Sequence, residues 1–234
     1  MSLETIEERV QRLEQLNTKQ QLQIERLQAA REIENMFSRY EYYHVNEQHQ
    51  KVIDMFSHKP STTLHFGEQG YWQGPDAAKR GWSTLMGRTP QPGEMHFHPT
   101  MCPIVEVAAD GKTAKGVWTT WGFETGTDRK TGKLKSQYAW GTYGVDFIKE
   151  DGVWKFWHFH IYRLASYEYN KPWTELDGWN PDPEKGETLS TEAVRMFKTD
   201  FPGVDDYPYR RDKVVVIKPD PPLPYEKWED VLPS

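Results

Sequence analysis

The sequence predicts an α+β fold in which helices come first and a long antiparallel sheet follows. Three observations carry that expectation. Apolar residues recur with a helical period up to about residue 86, and the period becomes two from His96 to Tyr162. Asp-Gly pairs at 110–111 and 151–152 sit where tight hairpin turns join strands. A sheet of this kind must curl, or lay one face on the helices, to bury its apolar side.

The first helix opens on Leu3, Ile6, Val10, Leu13, Asn17, Gln20, Ile24 and Leu27, spaced alternately three and four residues apart. That is the a/d seam of a heptad repeat and is too narrow for a globular core helix. It predicts an oligomerising helix over residues 1–29; the competing reading is a solvated helix that frays at its start. From Ala30 the apolar face widens, and Ile33, Met36, Phe37, Tyr40 and His44 share one side up to about residue 45. A second helix is expected over 48–57 and a short strand over Thr62–Phe66. A third helix starts at Pro75, since proline suits a first helical turn, and runs to about Met86. Four strands follow, at His96–Val107, Thr113–Phe123, Ser136–Lys149 and Val153–Tyr162. Residues 30–170 are thus expected as one α+β domain. Residues 171–234 hold ten of the sixteen prolines, yet they also carry Trp173, Trp179, Phe197, Phe201, Tyr207, Tyr209 and Trp228. So many rings predict an extended arm laid over the core, with Ser190–Lys198 as a short helix; a flexible tail with a few anchors is the alternative.

Composition excludes several function classes. Lys and Arg number 29 against 35 Asp and Glu, a net charge of −6, which argues against a nucleic-acid partner. No run of about 18 apolar residues exists, so neither a membrane span nor a membrane partner is expected. The acidic start lacks the apolar segment of a signal peptide, and a cytoplasmic location is expected. The single cysteine, Cys102, excludes an internal disulfide and any multi-cysteine metal site. Seven of the ten tryptophans fall between Trp72 and Trp157, so the ring excess belongs to the central domain.

The order helix, helix, short strand, helix, four-strand meander is similar to the nuclear transport factor 2-like superfamily, in its SnoaL-like and scytalone dehydratase branches. The residues that carry the resemblance are Tyr40, Phe56 sixteen residues on, and Gly70-Tyr71-Trp72-Gln73-Gly74 before the third helix. They continue with Asp110-Gly111-Lys112-Thr113-Ala114-Lys115-Gly116, Tyr143, and Asp151-Gly152-Val153-Trp154-Lys155-Phe156. The match covers roughly residues 30–165. The resemblance implies a strongly curved sheet wrapped around three helices as a cone that encloses a pocket. It implies acid–base chemistry by His, Tyr and Asp with no metal and no organic cofactor. Dehydratases of this type place an Asp five residues after the helical Tyr; here Val45 stands there, between His44 and Asn46, so the burden moves to histidines. The length and the aromatic C-terminal extension also resemble the diarylpropane γ-formaldehyde lyases of lignin-dimer breakdown. The heptad and the resemblance together imply a homo-oligomer, a trimer.

Four of the eight histidines fall in His96-Phe97-His98 and His158-Phe159-His160, and residues two apart on a strand share a face. Imidazole titrates near neutrality and serves as acid or base there. The expected catalytic set is His96, His98, Tyr40, His44 and His158. Tyr40 lies one turn before His44 on the first helix, so the two are neighbours. Tyr43, Asn46, Trp118, Tyr138, Trp140, Thr142 and His160 are expected to bind the substrate, the rings lining the cone for a small aromatic ligand. A dry aromatic core or a subunit interface is the competing reading of those rings. No metal site is expected: a cupin-like set would want Glu four or five residues after the second His, and Cys102 and Pro103 stand there. The expected activity is a cofactor-independent lyase on an aromatic, phenolic substrate. It proceeds by dehydration through a quinone methide, with or without subsequent loss of formaldehyde. A non-catalytic binding module is the first alternative and a His-ligated metal oxygenase the second.

Overall fold

The computed structural model describes residues 5–86, 91–128, 131–175, 198–203 and 207–230. Leu3, Trp179, Phe197 and the helix expected over 190–198 lie outside that set, Lys198 excepted. Helix α1 (Ile6–Val45) runs unbroken through both expected helical segments. It opens on a capping box: Thr5 Oγ1 accepts from Glu8 N at 3.2 Å, and Glu8 Oε2 accepts from Thr5 N at 2.8 Å. Its first half projects from the core, with Ile6 84 % and Leu27 74 % exposed. Its second half buries Ala29, Ile33, Met36, Phe37, Tyr40, Glu41 and His44. No described helix is long and apolar enough to cross a membrane.

α1 ends in a Schellman motif, Gln48 N donating to Tyr43 O at 2.8 Å and Glu47 N to His44 O at 3.0 Å. The residue that turns the chain is Glu47, at φ 56°. Helix α2 (His49–Ile53) is shorter than expected, and α3 spans Ala77–Met86. The strands are β1 (Thr63–His65), β2 (Tyr71–Gln73), β3 (Met95–Phe97), β4 (Thr100–Val107), β5 (Thr113–Thr127), β6 (Leu134–Glu150) and β7 (Val153–Glu168). The sequence expected one strand over 96–107. Pro99 cannot donate to a ladder, and the chain divides there into β3 and β4, both paired to β5.

The seven strands form one curved, unclosed sheet, six of them in the order β2-β1-β7-β6-β5-β3 and β4 paired beside β3 on β5. It is mixed rather than wholly antiparallel, because β1 runs parallel to β7. Register breaks at Trp140/Gly141 and Asp146/Phe147 interrupt the β6–β7 ladder, and such bulges sharpen the twist that wraps the sheet round the helices. At the turn after β6, Asp151 (φ 48°) and Gly152 (φ 80°) take the left-handed pair that a two-residue hairpin needs.

The concave face packs on α1 through rings. Phe37 stacks on Trp118 at 3.8 Å between centroids and meets Tyr143, Phe156 and Phe159. Alternation sends Asp146, between Val145 and Phe147, to the opposite face. There its fully buried carboxylate pairs with Lys115 Nζ at 2.7 Å and His158 Nδ1 at 2.8 Å. The C-terminal segment covers this cluster. Trp228 lies 5.4 Å from the His158 ring and under Lys115 Nζ at 4.9 Å, and Tyr225 Oη sits 3.0 Å from Thr113 Oγ1. A second segment is anchored by Asp200, which accepts from Arg80 Nη1 at 2.6 Å, and by Phe201 stacked on Tyr71 at 4.7 Å.

Candidate functional site

A cavity of about 310 Å³ opens between the end of α1, α3 and the concave sheet. Its chemistry-bearing lining is Tyr40, His44, His96, His98, Glu124, Tyr143 and Arg163, with Phe66, Trp82 and Trp140 as aromatic walls. Helical spacing stacks Tyr40 and His44 with ring centroids 5.9 Å apart. The period of two brings His96 and His98 to one side, and the β3–β5 register sets His96 against Glu124.

His98 is the most constrained of these groups. Its Nε2 lies 3.0 Å from Glu124 Oε1, and its backbone N donates to Glu41 Oε1 at 2.8 Å. Its ring lies over Gly122, where any Cβ would overlap it. Glu124 Oε2 accepts from Gln137 Nε2, its neighbour across the β5–β6 ladder. Burial alone would raise the Glu124 pKa, but the bond and charge of His98, the Gln137 amide and the charge of His96 outweigh it and hold it at about 2. An ionised carboxylate at Nε2 fixes that nitrogen as the donor and leaves Nδ1 as the basic position.

Glu41 has the opposite fate. Burial pushes its carboxyl up to about 7 against the charge and backbone N–H of His98. Its Oε2 is buried with no hydrogen-bond partner among the described residues. Tyr40 is raised well above an ordinary phenol by burial, then by Tyr143 and Glu41. Tyr143 is likewise raised, by burial first and then by Glu41. Both hydroxyls therefore stay protonated, and each keeps a hydrogen to donate. His44 is held well below the usual imidazole value by burial and by the neighbouring His98, His96 and His49. Among the described residues, no three His, Cys, Asp or Glu side chains converge on one metal position.

Five of the expected site residues line this cavity: Tyr40, His44, His96, His98 and Trp140. The others do not. His158 sits on the far face, held by Asp146. His160 is there too, its ring 3.7 Å from that of His65, and burial pushes its pKa down to about 3. Thr142 also points outward and donates to Lys218 O. Alternation had grouped these residues correctly but not oriented them: the aromatic partners of α1 are Phe156 and Phe159, which turns His158 and His160 away. Trp118 is consumed in the core by its stack on Phe37. Tyr138 packs with Trp121, Phe123 and Tyr167. Tyr43 is half-buried under Lys51 Nζ, and the exposed Asn46 caps α1 through Tyr42 O at 2.7 Å.

Sequence reasoning missed Glu41 and Glu124. The absent Asp five residues after Tyr40 shifts the expected chemistry to histidines, although a carboxylate, Glu41, adjoins Tyr40. An expected strand that ends at Phe123 excludes Glu124; alternation continued from Thr120 through Gly122 puts it on the cavity face.

The SnoaL-like domain model matches residues 25–160. No curated protein matches the chain significantly. Among solved structures, the chain is similar to one named for scytalone dehydratase from Novosphingobium aromaticivorans. The two share 18 % identity over 69 % of this chain and 97 % of the other, with a TM-score of 0.52. It is also similar to the hexachlorocyclohexane dehydrochlorinase LinA-type3 of Novosphingobium barchaimii, at 16 % identity over 64 % and 96 % of the two chains and a TM-score of 0.51. At such identities the likeness is one of fold. The family match spans more than half the chain and carries the cone that holds His98 and Glu124: this protein belongs to the SnoaL-like domain family.

Proposed function

We propose that the protein is a cofactor-independent lyase that expels a leaving group from an aromatic, phenolic substrate by His/Tyr acid–base chemistry. The observation that carries this reading is His98, pinned between Glu124 and Glu41 at the edge of a ring-walled cavity. The names of the two similar structures support it, since dehydration and dehydrochlorination are both eliminations.

In the proposed reaction, His98 Nδ1 takes the proton of a para-phenol. The ring electrons expel the benzylic hydroxyl, which leaves as water after receiving a proton from His96. A neutral quinone methide results. With a neighbouring CH₂OH, a second step follows: the alcohol gives its proton to His96, the carbon–carbon bond breaks, and formaldehyde departs. The bonding pair restores the aromatic ring, whose oxygen recovers the proton from His98. Tyr40 and Tyr143, kept protonated, supply hydrogen bonds to the oxygen that gathers charge. Acid–base groups of this kind contribute about 10²–10⁴-fold each. Incubating the purified protein with a para-phenolic 1,2-diaryl-1,3-propanediol, with formaldehyde and alkene detection, tests the reading. Turnover that vanishes when the phenol is O-methylated supports it; equal turnover of the methyl ether overturns it. Alkene without formaldehyde confines the activity to dehydration.

A further inference from the structure

The end of α1 carries a residue that its local geometry does not favour. The left-handed position of a Schellman turn ordinarily takes glycine, because a Cβ is strained there. Here it is Glu47, at φ 56°. The side chain that replaces glycine faces two imidazoles at once. Its Oε1 lies 3.5 Å from His96 Nδ1 and its Oε2 3.3 Å from His49 Nε2. Both nitrogens are buried, and neither has a hydrogen-bond partner among the described residues. Glu47 is the acidic group within ion-pair reach of either among the described residues.

Position gives the cluster a direction. His96 lines the cavity, whereas Glu47 keeps 29 % of its side chain exposed. His49 stacks on Trp82, and its ring lies 5.8 Å from that of His44, which in turn lies 5.8 Å from His98. The cluster thus joins the cavity's interior imidazoles to the solvent side of the α1–α2 turn. In the proposed reaction His96 gives a proton and takes one back within each cycle, so one ring nitrogen must stay on the substrate while the other is held, and Glu47 Oε1 faces Nδ1.

We propose that Glu47 is a positioning residue for His96, shared with His49: its carboxylate faces Nδ1 and keeps the other ring nitrogen for the substrate. The reading rests on the proposed acid–base activity for its kinetic consequence, but not for its electrostatic one. His96 and His49 share Glu47, while His44, His98 and Glu124 face them from α1, the β3–β4 turn and β5.

Two readouts test it on the full chain. In a histidine-labelled protein followed by NMR, Glu47→Gln should lower the titration midpoint of His49, which the Glu47 charge raises, by about half a unit or more. It should also shift the ring nitrogen resonances of His96 at fixed pH and leave those of His158, on the other face, in place. Unmoved His96 resonances overturn the proposal whether or not any substrate is turned over. Where the phenolic diol is a substrate, Glu47→Gly should raise the melting temperature by a few degrees, because glycine relieves the left-handed turn. The same change should lower kcat about tenfold with little change in KM, because the His96 ring loses its anchor while the substrate's other contacts remain. An unchanged kcat in a protein that does turn over the diol overturns the positioning role. Absence of turnover by the unmodified protein strikes the proposed function instead, and leaves the NMR result standing.

Discussion

Glu41 Oε1 accepts the backbone N–H of His98 at 2.8 Å, so a buried carboxyl on α1 holds the main chain of the residue whose ring faces Glu124 from the other side. The bond fixes His98 without engaging its ring. It also leaves the buried Glu41 Oε2 without a partner among the described residues, a costly arrangement for an ionised group.

That cost predicts a pH dependence of stability. In the unfolded chain Glu41 titrates near the usual 4.5, and in the fold near about 7. Below the lower value both states are protonated and the native state bears no penalty. As pH rises between the two values only the unfolded state ionises, so stability falls, and above about 7 the loss is complete. Its upper size is about 3 kcal/mol. Glu41→Gln keeps the acceptor for His98 N–H and removes the titration. Urea unfolding at pH 4.5 and pH 8 should show the variant gaining on the parent protein by up to that amount; equal pH profiles would contradict the assignment.

Gly122→Ala tests how tightly the His98 ring is seated. A Cβ there collides with the ring, and the contact with Glu124 prevents the ring from swinging aside freely. The fold should survive, as judged by circular dichroism. Turnover of a substrate diol should fall about 10²-fold, the scale of one acid–base group. An alanine variant with normal rates would mean that the ring position does not matter.

The outer-face cluster is a question of stability. Burial raises the Asp146 pKa, but His158 and Lys115 outweigh it and bring it below the ordinary value. Its contribution is therefore present above the unfolded carboxylate value and fades as pH falls through the native one. Asp146→Ala strands Lys115 and His158 without their buried partner and should cost about 3–5 kcal/mol at pH 7. Chemical denaturation measures it; a loss under about 1 kcal/mol would show that the cluster is already hydrated.

The reach of the sequence follows from what periodicity encodes. A period of 3.6 on α1 placed Tyr40 and His44 on the core face, because Ile33, Met36 and Phe37 mark that face unambiguously. A period of two on β7 grouped His158 with His160 but is silent on which side of a sheet is concave, and rings occupy both sides of this strand. Bulges at Gly141 and Asp146 shift the alternation further. Glu124 lies between Gly122 and Gly126, and glycine reads as a strand's end although here it makes room for the His98 ring. The Glu41–His98 link joins residues 57 positions apart, and no local pattern announces it.

The measurement that tests the account most directly is the rate of the His98→Ala variant on a para-phenolic 1,3-diol that the parent protein converts. Loss of about 10²-fold or more in kcat, with the fold and the melting profile retained, is the predicted result. A variant that converts the diol at the parent rate would remove His98, and with it the His98–Glu124 pair, from the chemistry.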